Sequence, residues 1–243
     1  MEQKPIKVAV VVGHHSYEVK PFQDMFTAME GIQCYIQHIE QFTSSTKEVR
    51  ESYDVVVFYT MRQDTPVDDG PWYEGKALEA LSELGETKQG IFMLHHSILA
   101  YQQWPFWANI CGVSPESYKD YYLDVPMHYC IADAQHPITK GLADFDMVDE
   151  AYEMAGVKET ENTHILLTTD HVHNIPTVAW TTRYKNSKVF CYQSGHNNTS
   201  YSNPNFREIV RRVFSGWQNH KTTYNALYNP LEKGKSSWHT KQF

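Results

Sequence analysis

The segment IKVAVVV, residues 6–12, is an apolar, largely β-branched run broken only by Lys7. A strand wet on one face alternates apolar and polar side chains. An unbroken run marks a strand covered on both faces, as in a parallel sheet sandwiched between helices. VVVFYT at 55–60 and GIFMLH at 90–95 repeat the pattern, and IQCYIQHIE at 32–40 reads as a further strand. Between these lie helical stretches. One has Pro21 in its first turn and ends near Gly31; the other, YEGKALEALSELGE at 73–86, gathers Ala77, Leu78, Leu81 and Leu84 on one face. Strands alternating with helices predict right-handed βαβ units and an α/β fold: an open, mostly parallel sheet with helices on both faces.

Beyond Tyr121 the pattern changes. Short strands are expected at 125–131, 165–169 and 177–181 with little helix between them. KVFCYQSG then makes a last strand, and NPNFREIVRRVFSGW a closing helix packed through Phe206, Ile209, Val210, Val213 and Phe214. WPFW at 104–107 is assigned to helix core rather than to an exposed aromatic platform. The 243 residues suit one domain over 1–220. The polar, aromatic tail at 221–243 is expected to pack on a neighbouring subunit, which predicts a homo-oligomer.

A net charge of −8 with no Lys/Arg run argues against a nucleic-acid partner, whose phosphates need a basic face. No segment approaches the ~20 apolar residues of a membrane span. The first apolar stretch reads as a strand, not as a signal peptide. Cys34, Cys111, Cys130 and Cys191 are far apart and form no C-x-x-C pair. They read as thiols in a reducing compartment, so a cytoplasmic location is expected.

Histidine placement carries the functional signal. His14 and His15 follow the first strand, His95 and His96 the fourth, and His196 the last. Loops at the carboxyl ends of parallel strands share one edge of the sheet, where ligands bind. Glu150 and Tyr152 end another extended stretch, and His171 and His173 follow a strand. His38, His128, His136 and His220 read as ordinary strand or surface residues. Imidazoles with a carboxylate suit two chemistries: proton transfer near neutral pH, or a divalent metal with an open position. The candidate metal set is His15, His95 and His196, with zinc the natural ion. No H-E-x-x-H spacing singles out the metal.

Four blocks, VVGHHSYEVKPFQDMF, GIFMLHHSILAYQQWPFWANICG, HPITKGLADFDMVDEAY and HNIPTVAWTTRYKNSKVFCYQSGHNNTSYSNPNFREIVRRVFSGW, together resemble the ThuA-like (trehalose utilisation) family. The resemblance implies a class I glutamine amidotransferase-like fold, akin to flavodoxin. By position it marks His15, Tyr17 and Glu18, then His95 and His96, then Asp149, Glu150 and Tyr152, then His171 and Asn174, and finally Gly195 and His196. Amidotransferase relatives carry cysteine where this chain has the histidine pair, so release of ammonia from glutamine is not expected.

The resemblance also implies sugar catabolism, on oxidised (3-keto) disaccharides supplied by a partner dehydrogenase. The expectation is a lyase, isomerase or hydrolase with His95, His196, His15 and Glu150 catalytic. His14, Tyr17, His96, Tyr152, His171 and Asn174 would bind the carbohydrate. Two alternatives stand beside it: a non-catalytic sugar- or metabolite-binding protein, and a structural zinc protein.

Overall fold

The computed structural model describes residues 4–218; His220 and the tail at 221–243 lie outside the described residues. The first half alternates as expected: β1 (Ile6–Gly13), α1 (Val19–Thr27), β2 (Ile32–His38), α2 (Ile39–Ser44), α3 (Lys47–Glu51), β3 (Val55–Thr60), α4 (Ala77–Ser82), β4 (Gly90–Leu94) and α5 (Pro105–Cys111). Then come β5 (Asp120–Ile131), β6 (Phe145–Glu153), β7 (His164–Thr168), β8 (Thr177–Tyr184) and β9 (Ser187–Tyr192), closed by α6 (Asn198–Ser202) and α7 (Pro204–Gln218).

All nine strands form one sheet in the order β2-β1-β3-β4-β9-β8-β7-β5-β6. Pairings from β2 through β4 to β9 are parallel. Those from β9 through β8, β7 and β5 to β6 are antiparallel. The expectation of a mostly parallel sheet is therefore corrected to a mixed one. The reason is local: past β5 the connections lack the crossover helix that parallel neighbours require. β8 and β9, for example, are joined by only Lys185 and Asn186, with Lys185 left-handed at φ +50°.

The two faces of β1 enter separate cores, as its sequence demands. Val8, Val10 and Val12 pack with Phe22 and Phe26 of α1 and Phe206, Val210 and Phe214 of α7. Ala9 and Val11 pack with Phe42 of α2, Leu81 of α4 and Trp107 and Ile110 of α5. Each fully buried large apolar side chain contributes about 1.5–3 kcal/mol. The WPFW segment is helix core: Trp107 is fully buried, with Trp104 and Phe106 packed against the same cluster.

Two elements are shorter than the sequence suggests. The strand over 32–40 stops at His38, whose ring nitrogen accepts the Glu40 amide and so caps α2. The helix over 73–86 is reduced to α4, because Gly75 turns left-handed at φ +61° after a single 3₁₀ turn at Trp72–Glu74.

Candidate active site

Three parallel strands deliver the expected histidines to one edge. β1 ends at Gly13, ahead of His14 and His15; β4 ends ahead of the 3₁₀ turn His95–Leu99; β9 ends ahead of Gln193–His196. At the tip of β4, His95 adopts φ +54°. This left-handed conformation costs a non-glycine residue energy of order 1–3 kcal/mol and turns the chain sharply. The turn is held by Ser97, whose hydroxyl accepts the Thr60 amide at 2.7 Å and donates to the Thr60 carbonyl at 3.1 Å. Ser97 is thus a structural bridge and no nucleophile.

The remaining component arrives from the antiparallel half. β6 is last in the strand order, yet it folds back over the rim. The ribbon bends where the β5–β6 register slips between Tyr122 and Val125, with Asp124 at φ +53°. That brings Asp149 onto the turn after β9. Its carboxylate accepts the amides of Gly195 (2.8 Å), His196 (3.0 Å) and Glu150 (2.9 Å). Gly195 has φ +124°, and a Cβ there would lie 3.3–3.4 Å from Phe206 and Leu94, so both conformation and space call for glycine.

The centre is a contact among His95, Glu150, Tyr152 and His196. His95 is fully buried and Glu150 is 5% exposed. His95 Nδ1 lies 2.7 Å from the Gln193 carbonyl. A carbonyl only accepts, so Nδ1 carries the hydrogen and the lone pair of the neutral ring resides on Nε2. Nε2 lies 2.9 Å from Glu150 Oε2 and 2.9 Å from the Tyr152 hydroxyl. Tyr152 donates its hydroxyl hydrogen to the same Glu150 oxygen at 2.8 Å. His196 Nδ1 approaches that oxygen to 3.2 Å, an ion-pair contact outside hydrogen-bond geometry.

Charges follow from this packing. Burial pushes the Glu150 carboxyl up, but interactions with His196, His95 and Tyr152 outweigh it and hold the group well below the usual carboxylate range. The Glu150 carboxylate in turn raises His196, against the opposing effect of burial. His96 moves the other way: burial, then the neighbouring His95 and His15, push it well below the usual histidine value. Its side chain is 1% exposed, and neither ring nitrogen has a hydrogen-bond partner among the described residues. Its ring packs on Tyr59, at 4.3 Å between centroids.

The other expected residues fall in distinct places. His15 is half-buried; its ring stacks on His96, and its Nδ1 donates to the Ser16 carbonyl at 2.7 Å. The three donor atoms that converge within 4.8 Å belong to His95, Glu150 and His196, so Glu150 occupies the place that the sequence assigned to His15. His14 is exposed and pairs with His38, 5.5 Å between ring centroids. Tyr17 packs edge-on against Phe22 and Tyr59, and Glu18 accepts the Asn198 amide, tying the first loop to α6.

Asn174 stands behind the centre, its Oδ1 accepting the Tyr152 amide at 2.9 Å and its Nδ2 donating to Gln193 Oε1 at 3.3 Å. His171 lies instead in a separate cleft of about 600 Å³, lined also by Glu116, Lys119, Glu153 and Asp170, that none of His15, His95, Glu150 and His196 lines. Sequence reasoning missed Gln193, whose carbonyl orients His95 and whose side chain donates to the Glu150 carbonyl at 2.6 Å. Its one signal was a polar residue closing the apolar run KVFCY.

The family model described as ThuA, trehalose utilisation, matches residues 7–215. No curated protein matches the sequence. Among solved structures, the chain is similar to a ThuA-like protein from Parabacteroides merdae, with 18% identity and a TM-score of 0.66 over 90% of this chain and 92% of that one. A ThuA-like protein from Bacteroides uniformis shares 16% identity at a TM-score of 0.65, over 93% and 97% of the two chains. A cytoplasmic protein from Salmonella typhimurium shares 13% identity at 0.61, over 87% and 98%. At these identities the likeness is one of fold. Among the described residues no helix is long and apolar enough to cross a membrane.

Proposed function

Since the chain belongs to the ThuA family of trehalose utilisation, we propose that it is an enzyme of carbohydrate catabolism acting on a keto-sugar, or a glycoside of one, at the His95–Glu150–His196 centre. Family membership supports a carbohydrate-related role; the chemistry is argued from the site.

The observation that carries the reading is the surroundings of His95 Nε2. With Nδ1 committed to Gln193 and the Tyr152 hydrogen given to Glu150, Nε2 faces two oxygens that offer it no proton. Such an arrangement calls for a positive charge, either a proton on Nε2 or a metal ion shared with Glu150 and His196. Separations of 2.9 and 3.2 Å between the donors match ligands each ~2.0–2.2 Å from one zinc ion. The histidine anchored through Nδ1 to a backbone carbonyl is the usual support for such a ligand. A divalent ion such as zinc, when bound by these side chains, supplies Lewis-acid polarisation of a substrate oxygen.

The chain's own groups supply the proton transfers. His95, fully buried, anchors the centre and does not reach substrate. The His15 Nδ1 hydrogen is given to the Ser16 carbonyl, which leaves Nε2 as the half-buried nitrogen that serves as base. It abstracts the acidic C–H hydrogen beside a sugar carbonyl. His196, partly exposed and with its Nδ1 turned to Glu150, donates the proton on its other ring nitrogen, Nε2, to the departing oxygen, its ring 6.3 Å from that of His15. The C–H and C–O bonds break, and the electron pairs pass through the carbonyl-conjugated carbon to the leaving group. Tyr17, half-buried beside Tyr59, is assigned to carbohydrate contact, whereas His96, buried beneath the His15 ring, backs that ring instead of touching sugar; a sugar dehydrogenase is the source of the oxidised substrate.

Incubation with a 3-keto-disaccharide in deuterated water tests this. The expected result is exchange of the hydrogen beside the carbonyl and release of the leaving group, both detected by NMR; His15→Ala should lose both, whereas His196→Gln should lose release while exchange persists. Tight calorimetric binding without exchange or product would replace the reading with that of a sugar-binding protein.

A further inference from the structure

Further along β5 from the active-site bulge, toward its C-terminal end, stands a second donor cluster. We infer that His128, Cys130 and Asp144 form a divalent-metal site, of zinc-type donor chemistry, that pins the point where β5 passes from one sheet neighbour to the other.

A ring nitrogen of His128, the Cys130 sulfur and an Asp144 carboxylate oxygen lie within 4.8 Å of one another. The backbone places them by rule: residues 128 and 130 project from the same face of one strand. Up to Tyr129, β5 pairs with β6; from Cys130 it pairs with β7. Asp144, just ahead of β6, accepts the Ile131 amide through Oδ1 at 2.8 Å, leaving its other oxygen for a ligand.

His128 Nδ1 lies 2.7 Å from Asp146 Oδ1. The carboxylate there selects the Nδ1–H tautomer and leaves the lone pair on Nε2, the support that a metal-bound histidine commonly has. Asp144 and Asp170 both act electrostatically on His128 and on Cys130, so the field at the cluster favours a cation. Thiolate, imidazole and carboxylate together suit zinc rather than magnesium or calcium, which take oxygen alone. Binding releases the Cys130 thiol proton to solvent and closes the loop between β5 and β6.

The test is Co²⁺ titration of the full chain, reduced and stripped of metal. Thiolate ligation gives a near-ultraviolet sulfur-to-cobalt charge-transfer band, which the sulfur-free His95–Glu150–His196 set cannot produce. The band is expected in the wild type, in Cys34→Ser and in His95→Ala. Cys130→Ser should abolish it, and Asp144→Asn should weaken Co²⁺ binding at least tenfold while the circular dichroism is unchanged. Absence of the band in the wild type, or its survival in Cys130→Ser, would overturn the assignment. Both outcomes are independent of metal at the active site.

Discussion

The ring of His15 lies on that of His96, with centroids 4.4 Å apart and planes inclined by 30°. Below this contact His96 is shut away from water, and neither nitrogen has a hydrogen-bond partner among the described residues. A buried polar group without a partner costs about 1–3 kcal/mol, which an apolar side chain of the same size would not. His96 therefore stands where folding stability alone would place a leucine, and His15 is the half-buried cover between it and solvent.

His96→Leu should accordingly leave stability unchanged or higher at neutral pH. The difference should grow in acid. The folded protein holds His96 neutral well below the usual range, whereas the unfolded chain protonates it near pH ~6.5. The wild type thus loses stability as pH falls below about 6.5, and the variant lacks that loss. Thermal melts at pH ~5 should place the variant about 2–6 °C above the wild type. A midpoint lower by a similar amount would mean that the imidazole has a stabilising partner.

His196 works in the opposite direction. Its folded pKa is raised by Glu150, so its contribution is complete below the unfolded value and fades as pH rises through the folded one. The stability advantage of wild type over His196→Gln should be fullest below the unfolded histidine value of ~6.5 and narrow as pH rises through the raised folded value. Glu150, depressed by the same contact, would surrender its share only in strong acid, as pH falls through its folded value. An advantage that widened with rising pH would contradict the pairing.

Asp149 sets the position of His196 without facing substrate. Its three amide contacts place a buried carboxylate on the turn that carries Gly195 and His196. Asp149→Asn turns one acceptor into a donor facing backbone N–H groups. A loss of about 2–4 kcal/mol is expected in denaturant unfolding, since hydrogen bonds to charged groups are the stronger class. The His196 ring titration, followed by NMR, should also fall toward the ordinary value. A stability change without that shift would give Asp149 a purely structural role.

The legible parts of this protein were those fixed by local pattern. β1, β3 and β4 read from their apolar runs, and parallel pairing placed the residues after β1, β4 and β9 on one edge. Adjacent histidines were beyond such reasoning. Gly13 at φ +146° and His14 at φ +58° swing His14 toward His38 and His15 toward His96. The return of β6 across the rim depends on a bulge at Asp124 that no periodicity reveals. The tautomer of His95 depends on a backbone carbonyl, at Gln193, whose partner side chain is remote in sequence.

The central claim is that His95, Glu150 and His196 jointly hold a cation. Anomalous diffraction above the zinc absorption edge, from crystals of protein purified without chelator, tests it most directly. The account predicts a peak ~2.0–2.2 Å from His95 Nε2 and a Glu150 carboxylate oxygen, absent from crystals of Glu150→Gln. A map with no peak there, after soaking in zinc, and with His95 and Glu150 still in direct contact would contradict it.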